Sequence, residues 1–416
     1  MDRLLHTPEG VRDIYDEECR KKNVLSDKLA RTLNLYGYED IQTPAFEYFD
    51  IFARERGTVS SRNMYKMIDR DGDTLVLRPD ITPSIARVVA KYFKEEKIPL
   101  RFSYCGNVFV NNSSLMGKMK ETTQIGAELV LEPGIEGDAE MIALSINCLL
   151  ESGLKDFQID IGHVGFFSAL TEELGLDEEQ TAELKELIES KNYFAVEDFV
   201  DRLGKDSDAC NALKQLPMLF GHDDAVARAR EMTRNPAALK VLDYLQALQE
   251  MISLYGFSQY VTIDLGMLSE YNYYTGIIFR GYTFGTGDPI VRGGRYDRLI
   301  AQFGKDAASV GFAIVLDELL LALSRQKIDV PDTVSSTMVL YKASLLAQAI
   351  RTAASLRTIN RAICLMKEDA QMQLSDYEAY CRRHHIDSIL HILDYETLEK
   401  IDIADGSSRK MPIPSF

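Results

Sequence analysis

The residues around position 80 are of types that could bind an ammonium group. A short apolar run ends at Leu77, Asp80 and Thr82 follow it, and Pro83 suits the first turn of a helix. A carboxylate and a hydroxyl can both accept hydrogen bonds from an ammonium group. Asp80 could equally cap the helix, which is a common role for aspartate. The pattern by itself therefore favours a structural role for Asp80, as a loop residue or helix cap, over a binding role.

A second stretch of interest is Gly293–Asp297, which reads Gly-Gly-Arg-Tyr-Asp. Two residues without a Cβ allow a ligand to approach the backbone closely, although a hairpin turn could use the same glycine pair. Metal chemistry is not indicated, because the six cysteines form no CxxC pair. His222, beside Asp223 and Asp224, is expected to lie in a loop or cap rather than in a metal site.

Composition narrows the class of protein. A chain of 416 residues with 46% hydrophobic and 27% charged residues is typical of a soluble protein of two or three domains. The formal charge of −17 argues against a surface for nucleic acid. No apolar run is long enough to span a bilayer, and no signal peptide is evident. We expect a cytoplasmic protein with reduced cysteines, bound neither to nucleic acid nor to a membrane.

The region that positions most of these residues is predicted to be a hairpin. Arg101–Val110 is rich in aromatic and β-branched residues, the polar loop Asn111–Ser114 interrupts it, and Thr122–Leu131 is a second strand candidate. Two such runs joined by a short polar loop are typical of antiparallel strands.

This hairpin resembles motif 2 of the class II aminoacyl-tRNA synthetases, and among them of the histidyl-tRNA synthetases. That motif reads roughly F-R-x-E, a loop, and then R-x-R-E-F-x-Q-x-x-x-E. Five residues fall in register with it: Phe109, Gly117, Glu121, Gln124 and Glu128. The family's arginine at the end of the first strand, which holds ATP and the substrate carboxylate, is Val110 here.

Further motifs of that family follow in order along the chain. The matching segments are Thr7–Asp13 (the "TPxGxRD" opening), Tyr38–Phe46 (the dimer-forming motif 1 strand), Leu77–Thr82 ("LRPExT"), Tyr273–Gly276 (the second histidine motif), Gly293–Asp297 ("GGGRYD") and Ala308–Leu323 (motif 3). The resemblance implies that histidine binds to six residues: Asp80, Thr82, Gln124, Glu128, Tyr273 and Tyr274. In that arrangement the ammonium meets Asp80, Thr82 and Gln124, and the imidazole meets Glu128 and Tyr274.

Three arginines that the synthetases use for ATP and acyl transfer are missing, since their positions carry Val110, Ser269 and Glu318. Each lost donor to a transition state with spreading negative charge typically costs roughly 100- to 1,000-fold in rate. The candidates to meet the ligand carboxylate instead are Lys118, Lys120 and Arg295, which the sequence does not place.

This pattern resembles the regulatory subunits of ATP phosphoribosyltransferase, synthetase-like proteins of histidine biosynthesis. The resemblance implies a non-catalytic protein without catalytic residues, metal or cofactor, needed for the first step of that pathway. It leaves open whether the protein also confers feedback inhibition by histidine. Its implied partner is the short-form catalytic ATP phosphoribosyltransferase subunit. Two copies of this chain are expected to form a homodimer through Tyr38–Phe46, and that homodimer then binds the catalytic subunit. The alternatives are a divergent histidyl-tRNA synthetase and a synthetase-like ligase, both of which would need the missing arginines.

The fold class expected is α+β, with the antiparallel sheet and flanking helices of a class II synthetase catalytic domain. We expect this domain over residues 1–325, with a helical insertion at about 166–255 that is rich in Ala, Leu, Glu and Lys. A linker at 326–336 leads to a small α/β domain at 337–416, which ends in a loose tail from Asp405 onward.

Overall fold

The structure, a computed structural model, describes residues 3–53, 59–112, 118–222, 224–268, 273–331, 336–359 and 361–413. Contacts divide the chain into two compact units, Met1–Asp13 with Lys22–Val330 and Ile14–Lys21 with Pro331–Phe416. Ser269 and Gly117 lie outside the described residues, as does part of the loop predicted at Asn111–Ser114.

The larger unit is built on a mixed sheet that has nine strands within the described residues. Their bounds are β1 Glu39–Asp40, β5 Leu100–Phe109, β6 Glu121–Val130, β7 Phe157–His163, β8 Phe220–Gly221, β9 Val261–Asp264, β10 Ile277–Thr283, β11 Val291–Arg295 and β12 Ser309–Val315. The spatial order is β1-β5-β6-β12-β11-β10-β7-β9-β8, and every pair from β5 to β7 is antiparallel. A second, three-stranded sheet has the order β2-β4-β3, with β2 at Phe46–Tyr48, β3 at Lys66–Ile68 and β4 at Thr74–Leu77.

Helices cover the sheet and fill the segment between β7 and β9. The helices of this part of the chain are α1 Asp16–Leu35, α2 Thr82–Tyr92, α3 Ile135–Glu151, α4 Val164–Leu174, α5 Glu178–Glu189, α6 Tyr193–Arg202, α7 Asp208–Gln215, α8 Ala225–Met232, α9 Pro236–Leu254 and α10 Leu316–Arg325. Apolar residues recur on one face of these helices, and burial of that face stabilises such helices more than intrinsic propensity does.

The two faces of β6 show how the sequence separates core from cavity. Because side chains alternate along a strand, Ile125, Ala127 and Leu129 point into the main core, where they pack with α1 and α3. Gln124 and Glu128 point to the opposite face. The hairpin predicted from the sequence is present, and its register pairs Gln124 with Gly106 of β5.

The continuous strand predicted over Tyr38–Phe46 is wrong. Only β1 and the first residue of β2 are extended strand there, and they belong to different sheets. The buried guanidinium of Arg78 donates to the carbonyl oxygens of Thr43 (2.7 Å) and Pro44 (3.4 Å). Pro44 has no N–H to give to a ladder, so a side chain satisfies this backbone segment instead of a neighbouring strand.

Within the described residues after Pro331, the smaller unit contains a five-stranded sheet in the order β14-β13-β15-β16-β17 and two α-helices. Their bounds are β13 Ser336–Tyr341, β14 Ala362–Lys367, β15 Ser388–Ile392, β16 Thr397–Asp402, β17 Ser408–Pro412, α11 Leu346–Thr358 and α12 Leu374–Arg383. The expectation of a loose tail from Asp405 is wrong for β17, which pairs antiparallel with β16 along its length. The strand is exposed and polar, so it shows no alternation of apolar and polar residues that would reveal it in the sequence.

Candidate ligand-binding site

A cavity of about 560 Å³ opens over the face of β5, β6 and β12 that lies opposite the main core. The first turn of α2 and the loop before β10 close its sides. All six residues predicted to bind histidine line this one cavity: Asp80, Thr82, Gln124, Glu128, Tyr273 and Tyr274. Asp80 and Tyr274, which are 194 positions apart in the chain, thus lie at one site. The sheet order brings them together, because it places β6 close to β11 and to the loop before β10.

Glu128 forms the floor of the cavity. Its carboxylate is 1% exposed and accepts hydrogen bonds from the hydroxyl of Thr82, at 2.6 Å, and from the hydroxyl of Tyr296. Burial raises the pKa of Glu128 to about 8, the two hydrogen bonds oppose that shift, and the charge of Asp80 adds to it. A carboxyl held in this state can accept a hydrogen bond or donate one as conditions change.

The carboxylate of Glu128 fits only because residue 311 is glycine. A Cβ placed on Gly311 would lie 1.6 Å from the Oε2 atom of Glu128, far inside any allowed contact. Tyr104 completes the same wall, with its hydroxyl 3.4 Å from the carbonyl oxygen of Phe312. Gly311 and Tyr104 were not singled out from the sequence, although Gly311 lies in the motif 3 segment Ala308–Leu323 and Tyr104 in the first strand of the predicted hairpin.

Asp80 lies in the loop one residue before Ile81, the N-cap residue of α2, and it also lines the cavity. Its Oδ1 atom accepts a hydrogen bond from the backbone N–H of Ile81 at 2.7 Å and lies 3.5 Å from that of Thr82, at the start of α2. The Thr82 hydroxyl is the donor to Glu128, which leaves its oxygen lone pairs as acceptors. Both groups are thus fixed in place before any ligand is bound.

Gln124 brings an unsatisfied acceptor to the same wall. Its Oε1 atom is buried and has no hydrogen-bond partner among the described residues. Such atoms are rare and require an explanation, which a bound donor would provide. The rings of Tyr273 and Tyr274 lie opposite, 4.7 Å apart, and Tyr273 also contacts the ring of Tyr296 edge-on at 5.8 Å. Tyr296 belongs to the Gly-Gly-Arg-Tyr-Asp stretch, which was the signal that could have identified it.

The outer part of the cavity contains positions where the synthetases carry arginine. Val110 and Glu318 both line it. Burial raises the pKa of Glu318, and the negative charges of Asp288 and Asp317 add to the shift. A valine and a carboxylic acid at these positions provide no positive charge for a phosphate group.

Arg295 does not take over that role. Its side chain is 6% exposed and its guanidinium lies 2.6 Å from the carboxylate of Asp138 on α3. It also donates to the carbonyl oxygens of Glu132 and Gly134, both at 2.9 Å. The suggestion that Arg295 meets a ligand carboxylate is therefore wrong, because its donors are used inside the protein.

Within the described residues, no group of three or more His, Cys, Asp or Glu side chains is arranged to hold a metal ion. The ring Nδ1 atom of His222 lies 2.8 Å from the carbonyl oxygen of Val261, a contact typical of a structural histidine. No helix in the described part of the chain combines the length and apolar character needed to cross a membrane.

The sheet, the cavity and the order of the motifs define a class II synthetase type of domain. The family model described as histidyl-tRNA synthetase matches residues 10–319. A crystal structure of histidyl-tRNA synthetase from Nostoc sp. PCC 7120 is 19% identical in sequence, with a TM-score of 0.81 over 98% of this chain and 97% of that one. This likeness confirms the predicted fold class.

More similar proteins narrow the assignment. The ATP phosphoribosyltransferase regulatory subunit of Acetivibrio thermocellus is 38% identical over 412 residues, which cover 98% of this chain and 97% of that protein. The protein of the same name from Clostridium acetobutylicum is 41% identical over 76% of this chain and 79% of its own length. A crystal structure from Bacillus halodurans, described as an ATP phosphoribosyltransferase regulatory subunit/histidyl-tRNA synthetase, is 30% identical, with a TM-score of 0.84 over 93% of this chain and 98% of that one. The chain belongs to the family of ATP phosphoribosyltransferase regulatory subunits.

Proposed function

We propose that this chain is a non-catalytic, cytoplasmic subunit that binds a short-form catalytic ATP phosphoribosyltransferase and is required for its activity in the first step of histidine biosynthesis. The observation that carries the proposal is the asymmetry of the cavity. One end keeps the acceptors that suit an ammonium group, while Val110 and Glu318 stand where a nucleotide would need arginine. The names of its relatives agree with such a role.

The absence of synthetase chemistry follows from charge. Forming an adenylate requires donors aimed at a phosphorus centre on which negative charge spreads, and each missing donor typically costs roughly 100- to 1,000-fold. If Glu318 ionises, it repels a phosphate, and like charges at about 4 Å and an effective dielectric near 20 cost on the order of 4 kcal/mol. The cavity can therefore bind a ligand, but it lacks the donors that adenylate formation requires.

The ligand that suits this pocket is histidine, bound as a regulatory signal. Its ammonium would meet Asp80, Thr82 and the unsatisfied Oε1 atom of Gln124, and its imidazole would meet Glu128 and Tyr274. Because burial places the pKa of Glu128 at about 8, this carboxyl can exchange a proton with an imidazole, whose ordinary pKa is about 6.5.

We also infer a homodimer, formed through the exposed face of the β2-β4-β3 sheet. The register places Phe46, Tyr48 and Met67 on one face, together with Leu75 and Leu77 of β4. Phe46, Tyr48 and Met67 are 55%, 57% and 39% exposed. An apolar patch of this kind usually marks an interaction surface. The proposed interface thus lies on the β2-β4-β3 sheet, whereas the sequence predicted a dimer through the segment Tyr38–Phe46.

The test is co-purification of this chain with the short-form catalytic subunit, followed by an assay of phosphoribosyl transfer to ATP. We expect the catalytic subunit to bind this chain, to gain activity from it, and to lose activity when histidine is added. The Glu128→Ala variant should still bind and activate the catalytic subunit but respond much less to histidine. A catalytic subunit that neither binds this chain nor changes its activity would refute the proposal.

A further inference from the structure

The carboxylate of an amino acid needs a cationic partner, which the acidic end of the cavity does not supply. We propose that Lys120 is this partner, and that it makes the pocket specific for a free amino acid over analogues without a carboxylate. The proposal deepens the proposed function, since it rests on the binding of histidine in this cavity. It can nevertheless fail on its own, because it assigns a single contact within that site.

The cations that line the cavity differ in what they already contact. Among the described residues these cations are Lys118, Lys120 and Arg292. The ammonium of Lys118 forms an ion pair with Asp288 at 3.0 Å, and Arg292 lies 3.9 Å from the same carboxylate. The ammonium of Lys120 makes no hydrogen bond or ion pair with any residue in the described ranges. Of the three cations, Lys120 is thus the one without a hydrogen bond or ion pair to the described residues, which makes it the candidate to meet a ligand.

Lys120 also stands in the right place on the hairpin. Beyond the last pair of the ladder, Phe109 with Glu121, the N–H of Val110 donates to the carbonyl oxygen of Lys120 at 2.9 Å. Residues directly opposite each other on paired strands project to the same face, and both of these line the cavity. A lysine across the hairpin thus replaces the positive charge that Val110 lacks.

The distances allow this contact. Lys120 and Gln124 are four residues apart on one strand, which is about 13 Å at about 3.3 Å per residue. Both side chains project from the same face of the strand, and the flexible four-carbon stem of lysine lets its ammonium lean toward Gln124. The space between the two positions then suits the ammonium and carboxylate ends of one amino acid.

The N-terminal loop fixes the stem of Lys120. The N–H of Lys120 donates to the carbonyl oxygen of Gly10 at 2.7 Å. A Cβ on Gly10 would lie 2.7 Å from the Cγ atom of Lys120, and Gly10 has a φ of +83°, so only glycine allows this close contact. Holding the aliphatic stem reduces the side-chain entropy that an ammonium would lose on meeting a ligand.

The experiment compares two ligands by titration calorimetry on the full chain, L-histidine and L-histidinol, in which a hydroxymethyl group replaces the carboxylate. The wild-type chain should bind histidine about 10- to 100-fold more tightly than histidinol, the range expected for one charge-assisted hydrogen bond. In Lys120→Met this preference should disappear, with affinity for histidinol unchanged. Lys118→Met is the matched control and should keep the preference, as should Lys120→Arg.

The outcomes separate the two proposals. A preference that persists in Lys120→Met would overturn the assignment of Lys120 while leaving the histidine site intact. Equal losses for both ligands would also overturn it, because they would indicate a structural role. If the wild-type chain binds neither ligand, the histidine site and the assignment of Lys120 fail together, while binding to the catalytic subunit is decided by its own test. Thermal unfolding of each variant shows whether it is folded, and Lys120→Gln, which also removes the charge, replaces Lys120→Met should that variant not fold.

Discussion

At the scale of single residues, Glu128 determines what this cavity can do. It is the buried acid on which Thr82 and Tyr296 converge, and its position depends on the missing side chain at Gly311. Glu128 and Thr82 were predicted as site residues from the motifs in which they lie. The sequence could not supply their mutual hydrogen bond, because that contact joins residues 46 positions apart through the packing of α2 on the sheet.

The raised pKa of Glu128 predicts how stability changes with pH. Its folded-state pKa of about 8 lies above the ordinary value of 4.5, so the folded chain binds more protons than the unfolded chain in that range. The free energy of unfolding should fall as pH rises from 4.5 to 8, by at most about 5 kcal/mol from this group. Urea unfolding at pH 5, 6, 7 and 8 should show a stability advantage of the wild type over Glu128→Gln that shrinks toward pH 8. Parallel pH curves for the two proteins would contradict the assignment.

A second prediction at this scale concerns the space beside Glu128. Gly311→Ala should displace the Glu128 carboxylate, lower stability by about 1–3 kcal/mol as other overpacking changes do, and weaken histidine binding. Gly287→Ala is the matched control, because a Cβ there meets no atom within 4 Å. Calorimetric titration with histidine should separate the two variants, and equal affinities would show that the cavity tolerates a methyl group at position 311.

At the scale of elements, the sequence predicted those strands and helices whose formation depends on a local pattern of residues. The β5-β6 hairpin and the unit β12-α10 follow from apolar periodicity and from the polar loop between strands. The conformation of Tyr38–Phe46 could not be predicted from local pattern. The carbonyl oxygens of Thr43 and Pro44 accept hydrogen bonds from Arg78, a residue 34 or more positions away. Strand β17 was missed since most of its residues are polar and exposed, and it is held by the pairing with β16 and by Met411, which packs against the core of the smaller unit.

A buried polar cluster joins the elements α3, β11 and α9, and its contribution to stability can be measured with variants. Arg295 lies 2.6 Å from Asp138, and Tyr244 donates to the second oxygen of that carboxylate at 2.5 Å. Removing one partner of a buried pair leaves an unpaired charge and typically costs about 3–5 kcal/mol. Arg295→Met and Asp138→Leu should each destabilise the chain by that amount in urea unfolding. The double variant should lose much less than the sum, and additive losses would show that the two groups act independently.

At the scale of the whole molecule, the first prediction is that this chain does not activate histidine. The reason is the valine at 110 and the acid at 318 in the cavity wall, together with Ser269, which lies outside the described residues. Histidine-dependent pyrophosphate exchange should stay at background, and no charging of tRNA should be detected. Restoring one arginine, as in Val110→Arg, should not create activity, because groups that act together contribute non-additively. Exchange above background in protein free of host synthetase would instead favour a divergent histidyl-tRNA synthetase.

The last prediction concerns assembly. If the face formed by Phe46, Tyr48 and Met67 is the dimer interface, each contact occurs twice, since a two-fold axis makes the same patch meet itself. Burying a large apolar side chain contributes roughly 1.5–3 kcal/mol, so changing both aromatic residues to aspartate removes that amount at four positions per dimer and adds repulsion between the new charges. Sedimentation analysis at micromolar concentration should show a dimer for the wild type and a monomer for Phe46→Asp/Tyr48→Asp. Phe284→Asp is the matched control, because Phe284 is 78% exposed in the loop after β10 and lies outside that face, so its dimer should persist. A wild-type monomer, or a double variant that stays dimeric, would place the interface elsewhere or rule it out.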